Sequence, residues 1–217
     1  VYWRSALDAF AAESHRRACA AAFAGHFEKE IVPVPVMQVR EKGAEGEAHL
    51  FSADETIRPG TAVEKLATLK TSFRADGRLT AGNSSQISDG AAGLLLMSSV
   101  KARSLGLKPR ARILAMTTVG SDPTLMLTGP VAATRKVLAQ AGLTLDDIDL
   151  FEINEAFAAQ CVACQRTLGI DEDKLNVNGG GISLGHPVGA TGSRLVVTLL
   201  YELKRRGGKY GLATLCA

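Results

Sequence analysis

Apolar residues in the first part of the chain recur at spacings of three and four, the period of a helix face. This spacing predicts a helix over residues 6–27, weakened at Gly25. The positions that carry it are Leu7, Phe10, Ala11, Ser14, Ala18 and Ala21. Residues 31–39 instead alternate apolar side chains with prolines, which predicts an edge strand or an extended segment. Residues 40–62 are polar and contain several glycines, so we expect a long surface excursion there.

From about residue 88 onward, short apolar runs alternate with helical periodicity. Residues 91–100 fit a strand or a buried helix, because periodicity does not separate the two. Pro130 and Gly142 mark the two ends of one predicted helix. The other predicted elements are strands at 111–119, 149–153, 175–177 and 210–215, a helix that follows Asn154, and a helix at 192–206. This alternation predicts a layered α/β domain. Residues 1–87 lack the alternation, so we expect them to form a separate or inserted region.

Composition narrows the function classes. Hydrophobic residues make up 46% of the 217 positions and charged residues 22%, values that are ordinary for a folded globular protein. A net charge of +3 gives no reason to expect a nucleic-acid or membrane-surface binder. Four cysteines are too few for a disulfide-dense secreted scaffold, so we expect a reducing compartment and a cytoplasmic location. The chain opens on Val1 rather than Met, and we interpret it as a piece of a longer chain, so that any organellar signal would lie outside it.

Candidate chemistry lies where predicted strands end, because sites in α/β sheets gather beyond the carboxyl ends of strands. The loop NGGGISLGHPVGATG at 178–192 contains six glycines and one titratable side chain, His186. Glycines let backbone N–H groups approach a ligand, and Pro187 restricts the backbone of His186. Such a histidine suits general-base work or donation to an oxyanion. The alternative is a glycine-rich turn with an incidental histidine. The spacing matches neither a P-loop nor a dinucleotide fingerprint.

Two further strand ends carry polar or reactive residues. Asn154 fits a helix N-cap, with Glu155 favourable in the first helical turn, and its position alone favours that interpretation. The alternative is an amide that holds a water or a carbonyl oxygen. Cys216 follows an apolar strand and is either a buried structural cysteine or a thiol close to His186. Cys161 and Cys164 share the apolar face of a predicted helix and lack a second ligand pair, so we expect core residues rather than a zinc site.

These segments together resemble the thiolases over nearly the whole chain. They occur in the family's order, and a GHPxGxxG-type loop with NEAF upstream is highly specific. The matching stretches are residues 6–35, TAGNSSQISDGAA at 80–92, NEAFAAQ at 154–160, NVNGGGISLGHPVGATGSR at 176–194 and GLATLC at 211–216. The resemblance implies an α/β protein of thiolase-like layered αβαβα architecture, with an irregular loop-domain segment before the C-terminal α/β domain. Residues 1–87 would end the loop domain, 88–109 would end the N-terminal domain, and 110–217 would form most of the C-terminal domain without its last strand.

The same resemblance implies an acyl-CoA C-acyltransferase, which cleaves 3-ketoacyl-CoA with CoA or condenses acyl-CoA thioesters. His186 would be the base that activates the nucleophilic thiol. Asn154 would hold a water that forms an oxyanion hole with His186, and Cys216 would take or return the α-proton. Gly185 and Gly189 would belong to the loop around the oxyanion. The chemistry needs a thiolate, a base and oxyanion donors, which these residue types supply in part.

Substrate contacts follow from the resemblance as well. Ser85 would contact the pantetheine portion of CoA, Arg58 its nucleotide end, and Phe73 would line the groove; the alternatives are a loop serine, a solvated arginine and a core phenylalanine. We expect no metal and no redox cofactor, with CoA as a substrate. Acyl-CoA and CoA would be the partners, without nucleic acid or membrane. The full-length chain would form a homodimer or a homotetramer.

Two departures from the family pattern limit what this chain would do alone. The nucleophilic cysteine lies in the family's amino-terminal half, and none of the four cysteines here has its context. The glycine-rich stretch that follows the second catalytic cysteine would come after Ala217. We therefore expect no acyl-enzyme from this chain alone.

Two other functions compete with a thiolase. A ketoacyl synthase would place a second histidine where this chain has Asn154, and lipid-carrier-type thiolases usually do the same. A non-catalytic CoA-binding or scaffold protein derived from a thiolase is the alternative of another class. The retained His186, Asn154 and Cys216 argue against decay of the site.

Overall fold

The computed structural model describes residues 2–39 and 45–216. The helices of this part are α1 (Arg4–Phe23), α2 (Val63–Ala67), α3 (Ser99–Ser104), α4 (Gly129–Ala141), α5 (Ala158–Leu168), α6 (Gly181–Leu184) and α7 (Thr191–Arg206), with 3₁₀ turns at Ala81–Asn83 and Glu172–Lys174. The strands are β1 (Val34–Val39), β2 (Glu45–Phe51), β3 (Leu150–Ile153) and β4 (Gly211–Thr214). Within the described residues, β1 and β2 form an antiparallel pair, and β3 and β4 form a parallel pair.

Helix α1 is the predicted first helix, and it ends at Phe23 rather than at residue 27. Gly25 follows with a φ of +71°, a left-handed conformation that ends helices. One face of α1 is buried against α2, α5 and α6. Asp8 on that face is paired with Arg4 at 2.7 Å and accepts a hydrogen bond from Asn83. The helix therefore packs directly behind the glycine-rich loop.

The segment expected to be an irregular surface excursion at 40–62 contains a strand, because residues 45–51 form β2, and residues 48–51 are exposed as expected. This strand pairs with β1 from Val34 opposite Phe51 to Val39 opposite Glu45. Its polar composition concealed it, because an exposed hairpin strand has no need of a buried apolar face. The extended segment predicted over 31–39 is confirmed as β1. Residues 40–44 lie outside the described residues.

The core of the second half surrounds the parallel pair. All four residues of β3 are buried, as expected for a parallel strand covered on both faces. Helices α4, α5 and α7 pack around β3 and β4. The central cluster is Leu138, Ile148, Phe151, Ile153, Cys161, Cys164, Ile170, Leu175 and Leu212. Cys161 and Cys164 are both fully buried, which confirms that they are core residues.

Two apolar segments do not form the predicted elements. The strand predicted at 111–119 is wrong, since these residues have no regular secondary structure, and residues 91–98 are likewise irregular. Met116 is 75% exposed and Leu95 is 81% exposed. A strand needs a neighbour to take its backbone hydrogen bonds, and no described strand lies beside either segment. The short strand expected at 175–177 is reduced to isolated bridges, Phe151 to Leu175 and Val177 to Gly179.

The helix predicted to start after Asn154 begins four residues later, at Ala158. Phe157 precedes it in an extended conformation, with φ −145° and ψ 145°. The N-cap interpretation of Asn154 is therefore wrong, and its amide is available for another role. The helix predicted between Pro130 and Gly142 is confirmed, as is the one that ends before Gly207. None of the described helices is long and apolar enough to cross a membrane.

Candidate active site

Asn154 lies at the carboxyl end of β3. Its backbone N–H donates to the Thr214 carbonyl at 3.0 Å, which continues the parallel pairing by one residue. The side chain is 2% exposed. Its Nδ2 lies 3.2 Å from Nε2 of His186, across a sequence separation of 32 residues. The fold thus brings together two of the three predicted catalytic side chains.

His186 is held by bonds from both its ring and its backbone. The Thr191 hydroxyl donates to the Pro187 carbonyl at 2.9 Å, so its oxygen is free to accept from Nδ1 of His186, 2.7 Å away. Nδ1 of the neutral ring therefore carries the proton, and Nε2 keeps a lone pair that faces Asn154 Nδ2. The His186 backbone N–H donates to the carbonyl of Gln86 at 3.0 Å. The ring has one tautomer and one orientation.

The protonation of His186 suits a base. Burial lowers the pKa of His186 below its ordinary value, and the positive charge of Arg194 lowers it further. The imidazole is consequently neutral at pH 7, with the lone pair on Nε2 available to take a proton. The pKa of His15 is lowered to about 4 for the same two kinds of reason, burial first and then the charge of Arg58.

Asn154 also presents an unused acceptor. Its Oδ1 is buried and has no hydrogen-bond partner among the described residues. It faces Gly181, where an added Cβ would lie 3.1 Å away. Buried polar atoms are nearly always paired, so an orphaned one marks a place where a ligand or a water binds. This orphaned oxygen fits the expectation of a bound water at Asn154.

Cys216 lies two residues after the end of β4 and is half-buried. Its thiol donates to the backbone carbonyl of Met126 at 3.3 Å, and the Ser121 hydroxyl donates to the same oxygen at 2.9 Å. Met126 has a φ of +26°, a conformation that non-glycine residues rarely adopt. Strained backbone of this kind clusters at functional sites. Within the described residues, the thiol is therefore hydrogen-bonded to Met126 rather than to His186.

The predicted CoA-contacting residues lie on the segments that border the site. The Ser85 backbone N–H donates to the carbonyl of Ala156 at 3.0 Å. Arg58 is exposed, and its guanidinium binds Oε1 of Gln86 at 2.9 Å. Phe73 is 69% exposed and meets the Phe157 ring edge-on, with centroids 5.8 Å apart. Phe73 is thus no core phenylalanine, and it extends an aromatic surface beside NEAF.

The two glycines assigned to the loop around the oxyanion differ. Gly185 has φ +82° and ψ 167°, a region that glycine alone occupies readily, and a Cβ there would overlap the Ser88 hydroxyl. Gly189 has open space around it, and nothing in the structure requires a glycine there.

An open cavity of about 380 Å³ lies between residues 88–92 and 187–190, next to His186. The described residues contain no cluster of side chains that could hold a metal ion.

Two residues that the sequence analysis missed connect the site. Gln86 accepts from the His186 N–H, donates to the Ile182 carbonyl at 3.0 Å, and accepts from Arg58. Thr191 fixes the His186 tautomer. Nothing in the spacing separates Gln86 from the polar residues around it. Thr191 was in principle findable, because a hydroxyl five residues after a histidine at a helix start is within reach of the ring.

Comparison with known proteins identifies the family. The family model for the thiolase C-terminal domain matches residues 107–217, and the model for the thiolase N-terminal domain matches residues 2–100. The chain belongs to the thiolase family. The resemblance inferred from the NEAF and GHPxGxxG-type motifs is confirmed. Asn154 of NEAF and His186 of the glycine-rich loop are the pair that the fold joins at 3.2 Å.

Several named thiolases are similar to this chain. It is 53% identical to an acetyl-CoA acetyltransferase of Chromobacterium violaceum, over 98% of this chain and 53% of the relative. It is 51% identical to a 3-ketoacyl-CoA thiolase of Cronobacter sakazakii, over 98% of this chain and 55% of the relative. The chain therefore spans about half the length of the curated relatives it matches.

Solved thiolase structures confirm the fold class. The acetyl-CoA acetyltransferase of Bacillus anthracis superposes with a TM-score of 0.93 at 47% identity, over 99% of this chain and 53% of the other. Human mitochondrial 3-ketoacyl-CoA thiolase in complex with CoA superposes with a TM-score of 0.88 at 40% identity, over 99% and 52% of the two chains. The exposed apolar segments at 91–98 and 111–119 are thus part of a thiolase-like arrangement of which this chain covers one portion.

Proposed function

We propose that the whole protein to which this chain belongs is an acyl-CoA C-acyltransferase. It cleaves 3-ketoacyl-CoA with CoA, or runs the reverse Claisen condensation. The observation that carries the proposal is the 3.2 Å contact between Asn154 Nδ2 and the unprotonated Nε2 of His186 at the end of a parallel strand. A fixed neutral imidazole beside an amide with a free oxygen suits thioester chemistry, which needs a base and a held water.

In the cleavage direction, Nε2 of His186 takes the proton of a nucleophilic cysteine. The family resemblance places that cysteine in the amino-terminal half of thiolases. The thiolate attacks the 3-keto carbon, the C2–C3 bond breaks, and the electron pair passes to the enolate of acetyl-CoA. Cys216 donates its proton to the enolate carbon. A free CoA molecule then gives its thiol proton to the Cys216 thiolate, and its sulfur attacks the acyl carbon. The cysteine thiolate leaves and takes back its proton from His186 as acyl-CoA is released.

Arg58, Ser85 and Phe73 would hold CoA. The proposal is supported by their place on the segments that border His186 and by a structural neighbour described as a complex with CoA. Arg58 offers a charge for phosphate, Ser85 a hydroxyl for an amide, and Phe73 an exposed ring for the pantetheine chain.

We further propose that the reaction uses no metal or redox cofactor, and that the whole protein forms a homodimer or a homotetramer in the cytoplasm. Light scattering tests the oligomeric state.

The decisive experiment is to measure acetoacetyl-CoA cleavage by the whole protein with CoA. We expect CoA-dependent loss of acetoacetyl-CoA, and a loss of roughly 10³-fold in kcat for His186→Ala, since a general base contributes about 10²–10⁴-fold. Mass spectrometry of the protein mixed with acetoacetyl-CoA should detect an acyl adduct only with His186 present. Tight binding of CoA without adduct or turnover would support a non-catalytic CoA-binding protein and contradict the proposal.

A further inference from the structure

The Glu155 carboxylate is enclosed between three segments that meet behind the site. It follows Asn154 in the chain and is 1% exposed. Its Oε2 accepts from the Ser14 hydroxyl of α1 at 2.7 Å and from the Ile182 N–H of α6 at 3.2 Å. Its Oε1 accepts from Asn176 Nδ2 at 2.9 Å. Glu155 has no role in the chemistry described above. A buried charged group is costly unless it is fully hydrogen-bonded, so its presence here needs an explanation.

The glycine-rich loop is built around this carboxylate. A Cβ at Gly180 would overlap the carboxyl group of Glu155, and a Cβ at Gly181 would lie 3.1 Å from both Asn154 Oδ1 and the Glu155 carbonyl. The Ser14 oxygen that donates to Glu155 also accepts from the Gly180 N–H at 3.2 Å. The loop backbone is therefore pressed onto Asn154 and Glu155 and is tied there by hydrogen bonds.

The same loop leads to His186 within a few residues. Ile182, bound to Glu155 through its N–H, is also bound through its carbonyl to Gln86, whose own carbonyl holds the His186 N–H. Glu155 is thus joined to both members of the Asn154–His186 pair. It is the chain neighbour of Asn154, and hydrogen bonds through Ile182 and Gln86 lead from it to His186.

We propose that Glu155 is a positioning residue, whose buried carboxylate fixes the glycine-rich loop against the end of β3 and thereby sets the distance between the Asn154 amide and the His186 imidazole. The proposal rests on the proposed function for its effect on rate. Its effect on the His186 ring is independent of that function. Three donors surround the two oxygens of Glu155. Only a carboxylate accepts hydrogen bonds at both of these positions.

Glu155→Gln is the direct test in the whole protein. The amide would set an N–H₂ against the Asn176 amide or the Ile182 N–H, so that one donor loses its acceptor. We expect kcat to fall roughly 100-fold with KM nearly unchanged, because a misplacement of about 1 Å costs that much. The His186 pKa, followed by ¹⁵N NMR of the ring, should rise by about half a unit, because the neutral ring loses the Asn154 donor.

Glu152→Gln is the matched control. Glu152 lies three residues earlier and is also buried, but its ion-pair partner is Arg194, 3.4 Å away, and no hydrogen bond joins its side chain to the loop among the described residues. We expect its kcat and the His186 pKa to match those of the unsubstituted protein. Asn154→Ala completes a double-mutant cycle with Glu155→Gln. If Glu155 acts through Asn154, the second substitution should cost less than about threefold in kcat in the Asn154→Ala background.

Three results would overturn the proposal. They are full activity of Glu155→Gln, a fall in kcat with an unchanged His186 pKa, and full additivity with Asn154→Ala. If Glu155→Gln does not fold, Ser14→Ala removes one donor from the same carboxylate. It should then lower kcat and raise the His186 pKa to a smaller extent, and no change in either would equally contradict the role. Absence of thiolase activity in the unsubstituted protein would refute the proposed function, while the His186 titration would still decide the role of Glu155.

Discussion

Glu152 and Glu155 are two buried carboxyl groups three residues apart with opposite surroundings. Glu155 accepts three hydrogen bonds, whereas Glu152 has one long contact to Arg194. The pKa of Glu152 is raised to about 8, first by burial, against the lowering effect of Arg194, and then by Glu155 and other nearby carboxyl groups. Burial raises the pKa of Glu155 too, but its hydrogen bonds oppose that rise. At the residue scale, burial thus raises the pKa of both carboxyl groups, and the groups that oppose it differ: hydrogen-bond donors at Glu155 and the charge of Arg194 at Glu152.

Glu152 predicts a pH-dependent stability. Its folded pKa of about 8 lies above the unfolded value, so the folded chain binds more protons between these two pKa values. Stability therefore falls as the pH rises through that window. Glu152→Gln has no proton to lose, so the free energy of unfolding that it gains over the unsubstituted chain should be on the order of 4 kcal/mol larger near pH 9 than near pH 5. Urea denaturation at both pH values measures this, and an equal effect at both would contradict it.

Cys216 predicts a separation of two chemical steps. Cys216→Ser keeps an O–H donor for the Met126 carbonyl, so the local packing should persist. A hydroxyl is a much weaker acid than a thiol, so proton transfer at the substrate α-carbon should fail. We expect acylation to proceed while deuterium exchange of the acetyl-CoA methyl group falls by at least roughly 100-fold. Retained exchange would show that another group moves this proton. Cys164→Ser, in the core, controls for the loss of a thiol elsewhere.

At the element scale, the sequence predicts where helices end but not which strands pair with each other. Pro130 and Gly142 bound α4, because their backbone preferences act within a few residues. The apolar run at 111–119 has the composition of a strand and yet is irregular. A strand exists only with a hydrogen-bonded neighbour, which local sequence does not supply. The glycine-rich loop shows both effects, since its glycines are visible in the sequence but the reason for each depends on what packs there.

The two loop glycines predict opposite responses to alanine. At Gly185 an alanine would be strained at φ +82° and would press on Ser88, so Gly185→Ala should cost about 1–3 kcal/mol of stability. It should also displace the adjacent His186 and lower kcat. Gly189→Ala meets open space and should change stability by less than about 0.5 kcal/mol. Denaturation midpoints of both variants decide the matter, and equal losses would refute the difference.

At the scale of the whole molecule, apolar surface is unevenly distributed. The core around β3 and β4 is closed, whereas residues 91–98 and 111–119 expose many large side chains. These include Leu95, Leu96, Met97, Ile113, Leu114 and Met116. Exposed apolar area of this kind marks interaction sites or promotes aggregation. The chain spans about half the length of its relatives. The exposed segments belong to the part of the chain that superposes on a solved thiolase structure.

This exposure predicts the behaviour of the 217-residue chain. Leu114→Glu replaces an apolar side chain that is 46% exposed, so it should reduce self-association and the binding of a dye that reports exposed apolar surface. The free energy of unfolding should change by less than about 0.5 kcal/mol. Leu175→Glu buries a charge at a position that is 2% exposed and should unfold the chain. Sedimentation and thermal unfolding of both variants test this. A large loss of stability in Leu114→Glu would show that the segment is packed in solution.

The amino-acid sequence by itself determined the four long helices α1, α4, α5 and α7, though not every end, together with the buried strand β3, the core role of Cys161 and Cys164, and the family. These follow from periodicity, backbone preference and motif order, all of which act over short stretches or are read directly. The tertiary structure decided that Asn154 is no helix cap, that Nδ1 of His186 carries the proton, and that Gln86 and Glu155 connect the site. The tautomer of His186 depends on a nearby residue, Thr191, whose hydroxyl oxygen lies 2.7 Å from Nδ1. The connections made by Gln86 and Glu155 depend on hydrogen bonds between distant positions, such as Ser14 to Glu155 across 141 residues. Only the folded chain brings such donors and acceptors together, so local sequence carries no signal of them.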